Sequence, residues 1–216
     1  MKALFISLLL AFAAYGQQIN TVDNEEHRIR LGIGGMWGLY YTSSKAIFKE
    51  ITNFEFDFTD GTGLKIGLLL NIPIHTENDR QLVFGSELYY TYRWLYAVVH
   101  DGGTTPAIAG IHERAINVPL LVKYRFLDVM PGYIPSTYLE GGVQFGFPLE
   151  TTIEKANGYS ETYTNRENFD LDIIVGAGYG ESIFAGIRFG YSLGNFNSTF
   201  NGSLGFFSDI TLMWLF

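Results

Sequence analysis

The sequence of 216 residues contains no cysteine, and only 17% of its residues are charged. An exported chain of this length without disulfides must be held together by a continuous hydrogen-bonded structure. The net charge of −8 argues against a nucleic-acid partner, because such partners require basic surfaces. No uninterrupted apolar run reaches the roughly 20 residues that a membrane-spanning helix needs. Covalent cross-links, nucleic-acid binding and helical membrane spans are therefore not expected.

Glycine and aromatic residues are abundant instead. The chain has 25 glycines and 16% aromatic residues, and it lacks runs rich in the helix formers Ala, Glu, Lys and Leu. This composition indicates an all-β protein. No pattern in the sequence calls for a cofactor, so none is expected.

The N-terminus has the features of a secretory signal peptide. Lys2 precedes an apolar run from Ala3 to Ala14, and small residues end at Gly16. We therefore expect a signal peptide over residues 1–16, a short polar lead-in over 17–27 and one β-domain over 28–216.

Apolar and polar side chains alternate in eight later segments. Period-two alternation predicts strands with one face toward an apolar medium. The segments are Arg28–Leu39, Leu64–Ile72, Gln81–Tyr96, Ala115–Phe126, Thr137–Phe147, Phe169–Tyr179, Ile183–Leu193 and Ser203–Phe216. Long polar connections follow the odd-numbered segments and short ones follow the even-numbered segments. This arrangement predicts a closed antiparallel eight-stranded transmembrane up-and-down β-barrel with both termini in the periplasm.

A soluble lipocalin-like barrel is the competing fold, since it also has about eight alternating strands. The position of the glycines separates the two. Glycines such as Gly142 and Gly146 lie on the polar face, where a narrow lumen has room for few large side chains. We therefore expect the polar face to line the lumen and the apolar face to contact the lipid of a bacterial outer membrane.

The last strand ends on two outward aromatic residues, Trp214 and Phe216. Aromatic rings of this kind are favoured at the membrane interface. The ending resembles the C-terminal signal of outer-membrane barrels, in which aromatic-x-aromatic closes the chain, although Thr211 stands where that pattern usually has Gly. The resemblance implies that the barrel-insertion machinery is a partner.

Three segments carry a family resemblance: Ile116–Phe126, Thr137–Phe147 and Phe169–Tyr179. With Pro119 to Tyr124 as a Pro-x-x-x-Lys-Tyr motif and Gly-rich strand centres, they resemble the small outer-membrane barrels called PorT-like and OmpA-like. The resemblance implies an outer-membrane location and leaves the activity open. A structural or surface-interaction role, with an unknown surface ligand or periplasmic partner, is the resulting expectation.

The lumen-facing charges are expected to pair across neighbouring strands. A turn centred near Pro131 places Lys123 opposite Glu140, and a turn near Gly180 places Asp172 opposite Arg188. Such pairs would fill the lumen, so we predict that the barrel is not a wide pore.

The first long connection contains a possible surface binding face. Phe54, Phe56 and Phe58 alternate with acidic residues in the parity of the second strand, which they could extend beyond the membrane. They could form a sticky face for a ligand, or they could simply pack against other loops.

A lipid-modifying enzyme of the outer leaflet, a deacylase or acyltransferase, is the alternative function. It requires a nucleophile near a histidine, but Ser86 is expected in mid-strand and the pairs His100–Asp101 and His112–Glu113 in a loop. The two His-acid pairs could instead hold a metal, although solvated loop residues are the simpler interpretation.

Overall fold

A computed structural model describes residues 28–42, 45–48, 55–77, 79–100, 107–127, 136–154, 160–164, 169–195, 200–201 and 205–216. Regular structure in these ranges is entirely β. In chain order the strands are β1 Arg30–Thr42, β2 Lys45–Phe48, β3 Glu55–Glu77, β4 Arg80–His100, β5 Ala107–Phe126, β6 Thr137–Glu154, β7 Ser160–Tyr163, β8 Asp170–Gly180, β9 Ile183–Asn195, β10 Phe200–Asn201 and β11 Gly205–Leu215. Within the same ranges no helix is long and apolar enough to span a membrane.

Eight of these strands close into a barrel. The order is β1-β11-β9-β8-β6-β5-β4-β3, and β3 pairs back with β1. Gly34 of β1 shows the closure, because it lies opposite Met213 of β11 and also opposite Gly67 of β3. All neighbouring strands are antiparallel, and each barrel strand pairs with the next barrel strand along the chain except where β11 closes on β1, so the barrel has no free edge. The predicted all-β, closed eight-stranded antiparallel barrel is confirmed.

Inward and outward side chains alternate as the sequence predicts. Large apolar residues on the outer face are exposed, including Ile66 at 69% and Ile183 at 62%, whereas Glu87, Arg188 and Asp209 inside are buried. A soluble barrel has the opposite distribution, because burying charges while exposing apolar side chains to water costs free energy. The outer face therefore suits an apolar medium.

Four neighbouring strands are much longer than the rest. β3, β4, β5 and β6 have 23, 21, 20 and 18 residues, whereas the other barrel strands have 11 to 13. We call the end with the connections at Glu77–Arg80 and Gly180–Ile183 the turn side and the opposite end the loop side. The extra length lies at the loop side, where β2 pairs with β3 and β7 pairs with β6.

These extensions correct the predicted loops. Residues 97–100, 107–114 and 150–154 were expected in connections, but they belong to β4, β5 and β6. The period-two alternation ends in these extensions, because 97–99 and 107–111 carry apolar or small residues on both faces and 150–154 carry mostly polar ones. The strands continue, since their backbone hydrogen bonds do not depend on the side-chain pattern.

Candidate functional site

Four charged side chains meet inside the barrel and form what we call the central lumen network: Glu87 of β4, Lys123 of β5, Glu140 of β6 and Arg188 of β9. Each occupies an inward position of its strand, and strand parity fixes that orientation. All four side chains are at most 5% exposed.

Every member of the central lumen network contacts two others. Lys123 Nζ lies 2.9 Å from Glu87 Oε1 and 3.6 Å from Glu140 Oε2. Arg188 donates from Nε to Glu140 Oε1 over 2.8 Å, and from Nη1 to Glu87 Oε2 over 2.9 Å. A further bond of 3.2 Å joins Arg188 Nη2 to Glu87 Oε1. The guanidinium thus holds Glu87 with two parallel bonds, the strongest geometry for a carboxylate.

The central lumen network is neutral overall, because two cations face two carboxylates. Its charges are removed from water, so each depends on its partners for compensation. The chemistry available to it is mutual neutralisation.

A second ion pair lies beside the central lumen network, since Asp209 of β11 is directly opposite Arg188 of β9 in the register. Lys65 Nζ is 2.6 Å from Asp209 Oδ2, and both side chains are buried. The ammonium also lies over the ring of Phe207, 4.5 Å from its centroid, which adds a cation–π contact.

Toward the loop side the lumen holds polar contacts. Arg93 pairs with Glu113 and lies 3.9 Å from Asp170. Gln144 donates to Asp172 over 2.7 Å. Ion pairs and hydrogen bonds therefore follow one another along the lumen.

Known proteins give only distant likenesses. No family model matches the chain. No curated protein matches it. Solved structures that it resembles include Ail, the attachment invasion locus protein of Yersinia pestis, at 11% identity, a TM-score of 0.40 and coverage of 87% of this chain and 98% of that one. Another is Neisserial surface protein A, at 12% identity, a TM-score of 0.39 and coverage of 87% of this chain and 97% of that one. A third is the outer membrane protein OprG from Pseudomonas aeruginosa, at 14% identity, a TM-score of 0.47 and coverage of 87% and 95%. Likeness at this level says nothing about what the chain does.

One of the two predicted lumen pairs is formed. Lys123 lies directly opposite Glu140 in the β5–β6 register, and their charged atoms are 3.6 Å apart. The predicted pairing of Asp172 with Arg188 is wrong. In the β8–β9 register Asp172 lies opposite Ser192, and Gly176 lies opposite Arg188.

The position of the turn explains this error. The register centres the β8–β9 turn on Ser182, because Gly180 lies opposite Phe184. Gly180 is the last residue of β8, and its φ of 145° favours glycine. The glycine therefore marks the start of the turn and not its centre. As a result, residues 172–180 of β8 lie opposite positions of β9 that are four residues further along the chain than predicted.

Sequence reasoning missed two further participants, Glu87 and the Lys65–Asp209 pair. Glu87 and Lys65 were both expected inside, but nothing indicated their partners. Arg188 and Glu87 are 101 residues apart in the chain, and their strands are not neighbours. Register arithmetic between consecutive strands cannot find such a contact, because it forms across the lumen.

The C-terminal aromatic residues lie on the outer face. Trp214 and Phe216 are 53% and 69% exposed, and their ring centroids are 6.1 Å apart in a T-shaped arrangement. The Phe216 amide donates to the Leu31 carbonyl over 2.8 Å, so the last residue is tied to β1. Their role as an insertion signal stays a prediction.

The expected surface binding face lies largely outside the described residues. Phe54 is not among them, and β3 begins at Glu55. Phe56 and Phe58 are therefore strand residues, as expected, but their side chains are also outside the described part. Whether the three rings form one face stays a prediction.

The two histidine candidates have different surroundings. His100 ends β4, and Asp101 lies outside the described residues. His112 is on β5, not in a loop, and it contacts the Tyr92 hydroxyl at 3.2 Å through Nδ1. Glu113 points into the lumen toward Arg93, so the neighbours His112 and Glu113 face opposite sides of the strand. Within the described ranges no group of three or more metal-binding side chains forms.

Proposed function

We propose that the chain is a bacterial outer-membrane protein whose filled barrel serves a structural or surface-interaction role at the loop side. The change of the outer face from apolar to polar along β5 and β6 carries the proposal. On β5 the outward residues between Ile116 and Phe126 are apolar or aromatic. This length agrees with the roughly 9–11 residues that a tilted strand needs to cross a bilayer.

Polar residues replace the apolar ones immediately above this band. Outward Arg114 lies opposite Glu150 and 3.4 Å from it, and outward His112 is 3.4 Å from Glu154. Tyr92, opposite Arg114, marks the boundary as interfacial aromatic residues do. We call the part of β4, β5 and β6 beyond this row the projecting wall. Its outward residues just above the row are polar on β5 and β6, at His112, Thr152 and Glu154, and aromatic on β4, at Trp94 and Tyr96.

The projecting wall supports a surface role. Strands that only cross the lipid would be enough to close the barrel. We therefore infer that the additional residues on this side of the barrel act outside the lipid. The filled lumen in turn argues against transport through the barrel. The resemblance to PorT-like and OmpA-like barrels agrees with this role. Proposed partners are outer-membrane lipid, the barrel-insertion machinery, and a surface ligand or periplasmic partner still to be identified.

Site-specific photo-crosslinking in cells tests the proposal. The crosslinking residue replaces Glu154 on the projecting wall, whose side chain is 60% exposed. The control replaces Val175 in the apolar band, a residue that is 55% exposed. We expect protein or glycan adducts at position 154 and only lipid adducts at 175. Lipid adducts alone at both positions would contradict a surface-interaction role.

A second candidate, a lipid-modifying enzyme, draws support from His112. Its Nδ1 contacts the Tyr92 hydroxyl and its Nε2 faces Glu154, just above the band and close to where lipid headgroups would lie. A histidine held by an acid suits general acid–base chemistry. Ser86 does not complete the set, because it lies six residues before Tyr92 on the same strand, roughly 20 Å away.

Lipid A composition separates the two candidates. Cells producing the wild-type chain, His112→Ala or no chain should show identical profiles if the role is structural or interactive. A modified lipid that disappears with His112→Ala would establish the enzyme instead.

A further inference from the structure

A small cavity of about 20 Å³ lies at the turn side of the lumen. We call it the turn-side cavity. Its volume is enough for one water molecule or one ion of similar size. It is lined by Asn71, Val83, Lys123, Arg125, Tyr138, Phe184, Met213 and Leu215.

The two cationic side chains of the turn-side cavity are compensated differently. Lys123 belongs to the central lumen network, where Glu87 and Glu140 balance its charge. Arg125 has only neutral partners among the described residues. It donates from Nη1 to Gln81 Oε1 over 3.0 Å and from Nη2 to Ser136 Oγ over 3.2 Å.

Arg125 is nevertheless buried, with an exposure of 9%, and its Nε has no hydrogen-bond partner. The guanidinium lies over the Phe184 ring, 5.1 Å from the centroid. Neutral dipoles and a ring do not cancel a full charge. A buried charge without a counter-charge costs several kcal/mol in a medium of low dielectric constant, so an anion is strongly favoured beside it.

The surrounding charges strengthen this demand. The nearby charge that acts on Arg125 is that of Arg30, which has the same sign. The acidic residues of the described turns, Glu77, Asp79 and Glu181, are exposed, and Asp79 lies 3.8 Å from Arg80. Among the described residues, the turn-side half of the lumen therefore has an excess of positive charge.

We propose that the turn-side cavity binds one monovalent anion of halide size, with chloride as the physiological candidate. Arg125 supplies the uncompensated positive charge, and the Lys123 ammonium, which Glu87 and Glu140 balance, lines the same cavity. Asn71 supplies a third contact, because its side-chain oxygen has no partner and a half-turn of the amide presents the NH₂ group to the cavity. The volume admits a halide but not a phosphate, sulfate or carboxylate group.

The stability of the purified full chain in detergent micelles tests this site. Chloride replaces gluconate at constant ionic strength, since gluconate is too large for the cavity. The thermal unfolding midpoint should rise with chloride, because a ligand that binds only the folded state stabilises it. Arg125→Gln should raise the half-saturating chloride concentration by at least about tenfold, whereas Arg125→Lys should preserve the effect.

Arg114→Gln is the matched control, because Arg114 lies on the outer face and pairs with exposed Glu150. Its chloride response should equal that of the wild type. In crystals grown with bromide, one anomalous peak should lie among Asn71, Lys123 and Arg125.

Three results would each overturn the proposal. One is an unfolding midpoint that does not respond to chloride, with only water in the cavity of the bromide crystal. Another is a loss of the chloride response in Arg114→Gln that equals the loss in Arg125→Gln. The third concerns Asp128, which lies outside the described residues: a chloride response that appears only in Asp128→Asn would show that this carboxylate is the counter-charge.

Discussion

Arg188 holds two carboxylates at once, and Lys123 contacts the same two. Removing the guanidinium leaves two anions with one ammonium in a space without water. Pairwise descriptions therefore understate the effect of any single change in this network.

The first prediction concerns Arg188→Met, which should destabilise the barrel by roughly 3 to 5 kcal/mol because it leaves a buried charge uncompensated. Denaturant unfolding in lipid vesicles, followed by tryptophan fluorescence, measures it. Arg114→Met is the control and should cost at most about 1 kcal/mol, since its pair with Glu150 is on the surface. Equal costs would show that the network is not a buried unit.

The sharing of Glu140 also changes what a charge swap should do. For an isolated Lys123–Glu140 pair, exchanging both signs should be milder than removing one partner. Glu140 Oε1 also accepts from Arg188 Nε over 2.8 Å, so the exchange would replace this carboxylate with a second cation beside the guanidinium. The double exchange is therefore not expected to restore stability.

Gly190 provides a second prediction at this scale. A Cβ there would overlap the Phe207 ring, which packs on Tyr40 and beneath Lys65. Gly190→Ala should lower stability by about 1–3 kcal/mol, as overpacking usually does. Gly141→Ala is the control, since its Cβ would meet the nearest atom at 3.8 Å on the outer face. The same unfolding assay decides, and equal stability of both variants would argue against a tightly filled lumen.

At the scale of the element, β11 closes the barrel by pairing with both β9 and β1. We expect the barrel-insertion machinery to recognise this strand, as proposed above. Its outward aromatic end lies at the turn side, where such an interaction would begin.

The third prediction is that deleting Trp214 to Phe216 lowers the amount of inserted protein. Heat-modifiable, membrane-embedded protein in the outer-membrane fraction is the measurement. The control is Ile210→Ala with Leu212→Ala, which removes comparably exposed apolar side chains from the same strand. Equal insertion of the deletion and the control would remove the signal assignment.

At the scale of the whole molecule, the lumen contents decide permeability. The central lumen network and the Lys65–Asp209 pair are buried side by side inside the barrel, and we expect them to obstruct it. The fourth prediction is that the purified barrel conducts weakly or not at all in planar bilayers. Large, steady conductance in the wild type would contradict a filled lumen.

The orientation of the whole molecule gives a fifth prediction. With the long loops outside, protease added to intact cells should cut within 42–60 or 150–168 and spare 73–80. Cleavage confined to the short turns would reverse the orientation and place the projecting wall in the periplasm. Cells opened before treatment serve as the control for accessibility of the turns.

The sequence by itself determined which face of each barrel strand points inward. Each side chain must suit its own medium, and parity along a strand assigns that medium, so Lys123, Glu140 and Arg188 could all be placed in the lumen. Local register also followed where the turn centre was judged correctly, as for Lys123 and Glu140. It failed by four residues at Asp172, because glycine can begin a turn as well as centre it.

Only the tertiary structure decided which inward charges meet and how far the strands extend. Arg188 reaches Glu87 because closure of the barrel brings β9 and β4 toward each other across a narrow lumen, and closure depends on strand tilt and stagger together. The extensions of β4, β5 and β6 were invisible for a related reason. The extensions of β4 and β5 carry apolar or small residues on both faces at 97–99 and 107–111, and that of β6 carries mostly polar ones at 150–154. The alternation that reveals a strand in sequence therefore disappears while its hydrogen bonds remain.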